Sequence, residues 1–111
     1  VETLEFSDGE KIIEKDDRKP YIYIIKTGTV KAIVGGYETL VSSDQAADMV
    51  EVFGLEALVG EPYSETCIAV GAVKVIRCEK NEFLDIYAKT EVGKNALKNF
   101  MKRTAKALGW I

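Results

Sequence analysis

Val52-Phe53-Gly54-Leu55-Glu56-Ala57-Leu58-Val59-Gly60-Glu61-Pro62-Tyr63-Ser64-Glu65-Thr66-Cys67-Ile68-Ala69 sets one helical turn directly before a strand, in a chain otherwise built from hairpins. Gly54 lets the backbone come close to a ligand, and the free N–H groups of the turn Leu55 to Val59 would point outward with the positive end of the helix dipole behind them. Such a turn suits an anion. Pro62 ends the helix, and the chain resumes as a strand through Thr66, Ile68 and Val70.

Working outward toward the N-terminus, Met49 to Phe53 leads into the turn, and the polar run Ser43 to Asp48 reads as a loop or a distorted strand end. Tyr37 to Ser42 and Thr29 to Val34 are strands joined through Gly35-Gly36, two residues that both admit the positive φ of a right-twisted hairpin. Thr27-Gly28 turns Thr29 to Val34 back onto Tyr21 to Lys26, the clearest strand of all, rich in aromatic and β-branched residues. Asp16-Asp17-Arg18-Lys19-Pro20 is a solvated charged loop. Lys11 to Glu14 and Val1 to Phe6 are further strands around the turn Ser7-Asp8-Gly9-Glu10. Tyr21, Tyr23 and Tyr37 lie on neighbouring strands and are read as cross-strand packing partners rather than pocket walls.

Toward the C-terminus, Cys67 to Val70 and Lys74 to Cys78 are strands separated by Gly71-Ala72. The period then changes. Asn81 is an N-cap for a short helix carrying Phe83, Leu84, Ile86 and Tyr87, and Gly93 marks a break. Beyond it Leu97, Phe100, Met101, Thr104, Leu108 and Ile111 recur at three- and four-residue intervals, a stripe suited to packing on the sheet or on a partner helix. Lys94, Lys98, Lys102, Arg103 and Lys106 populate the other face, read as a solvated surface.

The 111 residues make one domain, 1–111, with strands to about residue 79 and helices over about 81–111. A formal charge of −3 argues against a surface built for nucleic acid, and no apolar run reaches the length of a membrane span. Cytoplasmic location is expected. Histidine is absent, which removes imidazole metal sites and serine-histidine catalysis. Two cysteines, Cys67 and Cys78, are too few for a disulfide framework and read as buried, unreacted thiols. The carboxylates Glu56, Glu61 and Glu65 gather around the turn, but no nucleophile–base pair accompanies them, so they are read as surface charge and the chain as no enzyme.

The stretch resembles the phosphate-binding cassette of cyclic nucleotide-binding domains, found in catabolite-activator-type transcription regulators, cyclic-nucleotide-dependent kinases and channels. The family pattern is Phe-Gly-Glu-x-Ala-Leu, a short loop, then Pro-Arg-x-Ala-Thr-x-x-Ala. Phe53, Gly54, Ala57 and Leu58 match the first half; Pro62, Ser64, Thr66 and Ala69 match the second. Phe6-Ser-Asp-Gly-Glu10 and Tyr21 to Val30 extend the likeness in consistent order. It implies a mainly β fold with C-terminal helices: an antiparallel, jelly-roll-like β-roll plus a short cassette helix. The ligand residues it implies are Gly54, Leu55, Glu56 and Ala57 on the backbone and ribose side, with Tyr63, Ser64 and Thr66 on the phosphate side. No cofactor is expected beyond a cyclic nucleotide or another small anionic ligand.

Two departures decide the expectation about that ligand. The family's ribose-binding glutamate falls on Leu55, with Glu56 the candidate replacement, and its phosphate-binding arginine falls on Tyr63. An arginine fork gives a phosphate two charge-assisted hydrogen bonds; a tyrosine gives one neutral donor. Glu65 adds a negative charge where the family has a small alanine. The expected function is therefore a regulatory sensory domain that does not take ordinary cyclic AMP. The alternative is a ligand-free interaction or dimerisation scaffold of the same fold. The partners expected are a small molecule and a second copy through the C-terminal helix, with no DNA contact by this chain and no membrane. The family's usual leading helix is missing from the sequence, so a fragment is expected.

Overall fold

Tyr21 to Ile25 has a large apolar side chain at every position, a pattern that requires cover on both faces of the strand. In the computed structural model, which describes residues 1–44, 46 and 49–109, this run opens the long central strand β3 (Tyr21–Val34). Before it come β1 (Glu2–Phe6) and β2 (Lys11–Ile13). After it come β4 (Tyr37–Ser42), the two-residue β5 (Val52–Phe53), the 3-10 turn Leu55–Val59, β6 (Thr66–Glu79), α1 (Lys80–Ile86) and α2 (Glu91–Ala107). All pairings are antiparallel, in the order β1-β6-β3-β4, with β2 on β6 and β5 on β3. The result is the β-roll with C-terminal helices that the cassette resemblance implied.

The two faces of β3 divide the core. Tyr23, Ile25, Val30 and Ala32 point into the roll, where they meet Phe53, Tyr63, Cys67, Val73 and Val75. Ile22 and Ile24, on the opposite face, join Val52, Leu55, Ala57, Cys78, Phe83, Ala96 and Phe100 in a second cluster beneath the helices. Period-two alternation thus sends neighbouring residues into two different cores. Tyr23 stacks on Phe53 with ring centroids 5.1 Å apart, and Arg77 lies over the Tyr21 ring at 4.2 Å. Tyr37 is exposed. Both cysteines are free and buried, and burial pushes the Cys67 thiol well up and the Cys78 thiol to about 11.

Several local expectations need correcting. Thr27-Gly28 is no turn: β3 runs straight through it, with register shifts between Ile25 and Thr29. Gly71-Ala72 likewise lies inside the single strand β6. The two strands bulge at the same height, and a Cβ on Gly28 would sit 2.5 Å from the Ala72 carbonyl oxygen. Only Gly35 of the hairpin pair takes a positive φ, at 59°. The first helix is capped two residues earlier than expected, by Glu79 rather than Asn81, with the Glu82 side chain accepting from the Glu79 N–H at 2.9 Å. Asp44 and Met49 exchange two backbone hydrogen bonds of 2.8 Å, while Gln45, Ala47 and Asp48 lie outside the described residues. The charged loop is anchored by backbone: Asp16 N–H donates to the Tyr63 carbonyl and Tyr63 N–H to that of Asp17, both at 2.8 Å.

Gly93 does not break the helix. It sits in the first turn of α2, where its N–H donates to the N-cap Thr90 hydroxyl at 2.9 Å. The glycine is needed for close approach, since a Cβ there would lie 1.7 Å from the Tyr87 carbonyl oxygen. Of the six-residue stripe, Phe100 is buried against the roll and Leu97 packs partly against it, whereas Met101 and Leu108 are exposed. The Thr104 hydroxyl donates back to the Phe100 carbonyl, and Ile111 lies outside the described residues. No described helix is long and apolar enough to cross a membrane.

The α1–α2 junction therefore tolerates no side chain at Gly93. Gly93→Ala is expected to cost about 2 kcal/mol or more, lowering Tm by about 8 °C or more. Gly36→Ala, with nothing within 4 Å of the added Cβ, serves as the near-neutral control in the same thermal melt.

Candidate functional site

Gly54 enters the 3-10 turn with φ 80°, a left-handed conformation that a β-carbon would strain. A Cβ would also meet the Tyr21 carbonyl at 3.0 Å and the Tyr63 ring at 3.2 Å. The turn closes through Ala57 N–H to Gly54 carbonyl, 3.1 Å, and ends on Gly60, also left-handed. Leu55 and Ala57 are buried beneath the helices, so the apolar side of the turn is part of the core under α1 and α2.

Glu56 turns back onto the cassette. One carboxylate oxygen accepts from both the Ser64 N–H, at 2.8 Å, and the Ser64 hydroxyl; the other is buried with no hydrogen-bond partner among the described residues. Thr66 faces the other way, its hydroxyl accepting from Lys15 N–H at 3.0 Å. Tyr63, 2% exposed, fills the roll interior and donates its hydroxyl to the Tyr21 carbonyl at 2.7 Å. Burial is the chief reason its phenol is raised above the ordinary range, so it remains a neutral donor already in use. The candidate residues are therefore brought together in one cassette, but Leu55, Tyr63, Ser64 and Thr66 all have partners within the fold.

Glu65 is the group that composition alone misplaces. It is 1% exposed, whereas Glu61 is exposed and Glu56 is partly buried, so the three are not one surface patch. Its partner is Arg103 of α2, 8% exposed and not on the solvated basic face. Nε donates to Glu65 Oε2 at 2.9 Å, and Nη2 donates to Glu65 Oε1 and to the Val52 carbonyl, each at 3.1 Å. Nη1 stands 3.7 Å from Glu51, whose other oxygen accepts from Asn99 at 3.0 Å. Burial alone would lower the Arg103 guanidinium, but the hydrogen bonds and charge of Glu65 outweigh it and hold it up. Burial pushes the Glu51 carboxyl up, against the opposing pull of Arg103 and Asn99.

An arginine thus does reach the cassette, from α2 rather than from the cassette itself, and its fork is already spent on Glu65. The internal carboxylate takes the bidentate pairing that such a fork would otherwise offer to a phosphate. The signal that locates Arg103 is its spacing: Gly93, Ala96, Phe100 and Arg103 are the four buried positions of α2. Among the described residues no three carboxylate or thiol groups gather as a metal site.

Removing one partner of a buried ion pair leaves an uncompensated charge, whereas removing both does not. Arg103→Met is expected to destabilise the protein by about 3–5 kcal/mol in urea unfolding. Adding Glu65→Leu to it should restore most of that loss; single variants each costing under about 1 kcal/mol would show the pair to be solvated.

The comparisons with known proteins bear on the whole chain. No curated protein sequence matches it significantly. Solved structures match its fold throughout. One, described as Sp-2Cl-cAMPS bound to PKAR CBD2, has a TM-score of 0.72 at 20% identity, covering 97% of this chain and 71% of its own. The catabolite activator protein of Thermus thermophilus has a TM-score of 0.64 at 16% identity, covering 98% of this chain, which spans about half (52%) of that protein. A third, described as cAMP-bound PfPKA-R (141-441), has a TM-score of 0.75 at 18% identity, over 97% of this chain and 36% of its own. At these identities the likeness concerns the fold. The sequence itself matches the family model described as the cyclic nucleotide-binding domain over residues 3–90, and the chain belongs to that family.

Proposed function

We propose that this is a regulatory domain of the cyclic nucleotide-binding family that does not take ordinary cyclic AMP or cyclic GMP in its cassette. Its output is the position of α2. In a ligand-gated relative of this kind, contacts to the cassette shift the population of helix positions. Here the link from cassette to helix is internal. The single observation that supports the reading is that Tyr63 and Glu65, standing where the family has arginine and alanine, are both buried and both bonded within the chain. A cyclic phosphate entering there would have to displace a buried tyrosine and lie beside a carboxylate that already holds the Arg103 guanidinium. The cassette's resemblance to those of transcription regulators carries the further proposal that the domain serves transcription control in the cytoplasm.

A second reading, a scaffold that pairs with another copy of itself, is favoured by one observation. Met101 on α2, 67% exposed, and the C-cap Leu108 are left uncovered by the roll and continue the apolar stripe from the partly packed Leu97. Lys94 and Lys98 flank it, and like charges meeting across a two-fold axis repel at low salt.

A thermal-shift series tests the first reading. About 1 mM cyclic AMP acting on a site with Kd near 10 μM would add about 2.7 kcal/mol and raise Tm by several degrees. The expected shift is none for cyclic AMP or cyclic GMP; a rise of that size for either would overturn the reading. Light scattering tests the second: a dimer strengthened by added salt at high micromolar concentration supports it, and monomer throughout removes it.

A further inference from the structure

Between β4 and α2 lies an open groove of about 480 Å3, within the size range of small-molecule sites. No residue of the cassette from Gly54 to Thr66 lines it. One wall, with Tyr37, Leu40, Val41 and Met49, is largely apolar; the other carries Lys102 and Lys106 of α2. Arg103 borders it too, but is committed to Glu65 and Glu51. Lys102 and Lys106 have no ion pair among the described residues, and Glu51, the acid lining the groove, is engaged by Arg103 and Asn99.

We infer that this groove binds a small amphipathic monocarboxylate, its anionic oxygens on Lys102 and Lys106 and its hydrocarbon body against the exposed Leu40 and Met49. Each part of the ligand answers a feature of the wall. Two ammonium groups with no ion pair among the described residues attract a negative head, more strongly at the mouth of a groove than in open solvent. The exposed apolar wall gains by covering with hydrocarbon. A cation would meet both lysines, and a dianionic sugar phosphate would leave the apolar wall uncovered. The ligand bridges β4 to α2 and so adds to the hold on the helix that Arg103 already exerts. The site is separate from the cassette, and its occupancy does not require that cyclic nucleotides be refused there.

Calorimetric titration with octanoate, octanol and octylamine at low salt tests the inference. Octanoate is expected to bind with Kd on the order of 1 mM or tighter, and octanol and octylamine much more weakly. The double variant Lys102→Ala, Lys106→Ala, altered only at exposed positions, should weaken octanoate about tenfold or more. Absence of octanoate binding, octanol binding as well as octanoate, or an unchanged Kd in the double lysine variant would each overturn it. Cyclic AMP run alongside keeps the two proposals apart, because its binding would contradict the cassette reading and leave this groove untouched.

Discussion

The buried pair of Arg103 and Glu65 ties the last helix to the cassette strand, and much else in the molecule follows from the need to satisfy it. A guanidinium and a carboxylate taken out of water are tolerated only when nearly all their hydrogen-bonding capacity is met. Here both Glu65 oxygens are bonded, and the Arg103 fork also reaches the Val52 carbonyl at the point where β5 leads into the Gly54 turn. Glu51 and Asn99 extend the network along the same junction. One side chain from α2 thereby contacts both the entrance to the turn and the strand that leaves it. Such a pair adds little net stability over a hydrophobic replacement. Its consequence is geometric: α2 cannot leave without stranding a charge.

Around that pair the cassette is occupied by its own residues. Tyr63 is placed from three directions, by the charged loop pairing with its backbone, by Tyr21 accepting from its hydroxyl, and by Gly54 lying too close for any side chain. Glu56 and Ser64 close the turn on themselves. The glycine, the turn and the strand of the family's architecture are retained, while Tyr63 is bonded to the Tyr21 carbonyl, Ser64 to Glu56 and Glu65 to Arg103. A separate open groove lies between β4 and α2, where Lys102 and Lys106, with no ion pair among the described residues, stand beside the exposed Leu40 and Met49.

Much of this was legible in the sequence, and the limits have physical causes. The roll, the short turn and the helices could be read because Gly54, Pro62 and the apolar run Tyr21 to Ile25 carry strong local signals. Gly28 and Gly71 were misread as turns because a glycine in a turn and a glycine in a bulge look alike locally; only the strand opposite decides between them. Gly93 was misread for a similar reason, its constraint coming from the Tyr87 carbonyl of the preceding segment. The substitutions Leu55 and Tyr63 were visible, as was the misfit of Glu65. That Arg103 answers Glu65 was not, because a sequence separation of 38 is closed only by tertiary packing. Its place three residues after Phe100 on the buried face was the one local sign.

The central claim is that α2 is held against the cassette by the chain itself. Native-state hydrogen exchange on the ligand-free protein tests it most directly, because it measures how easily each element opens by itself. The account predicts that the α2 amides around Phe100 and Arg103 open only with the global unfolding that exposes β3 and β6, with or without cyclic AMP. Exchange of those amides through a much cheaper local opening, slowed when cyclic AMP is added, would contradict it.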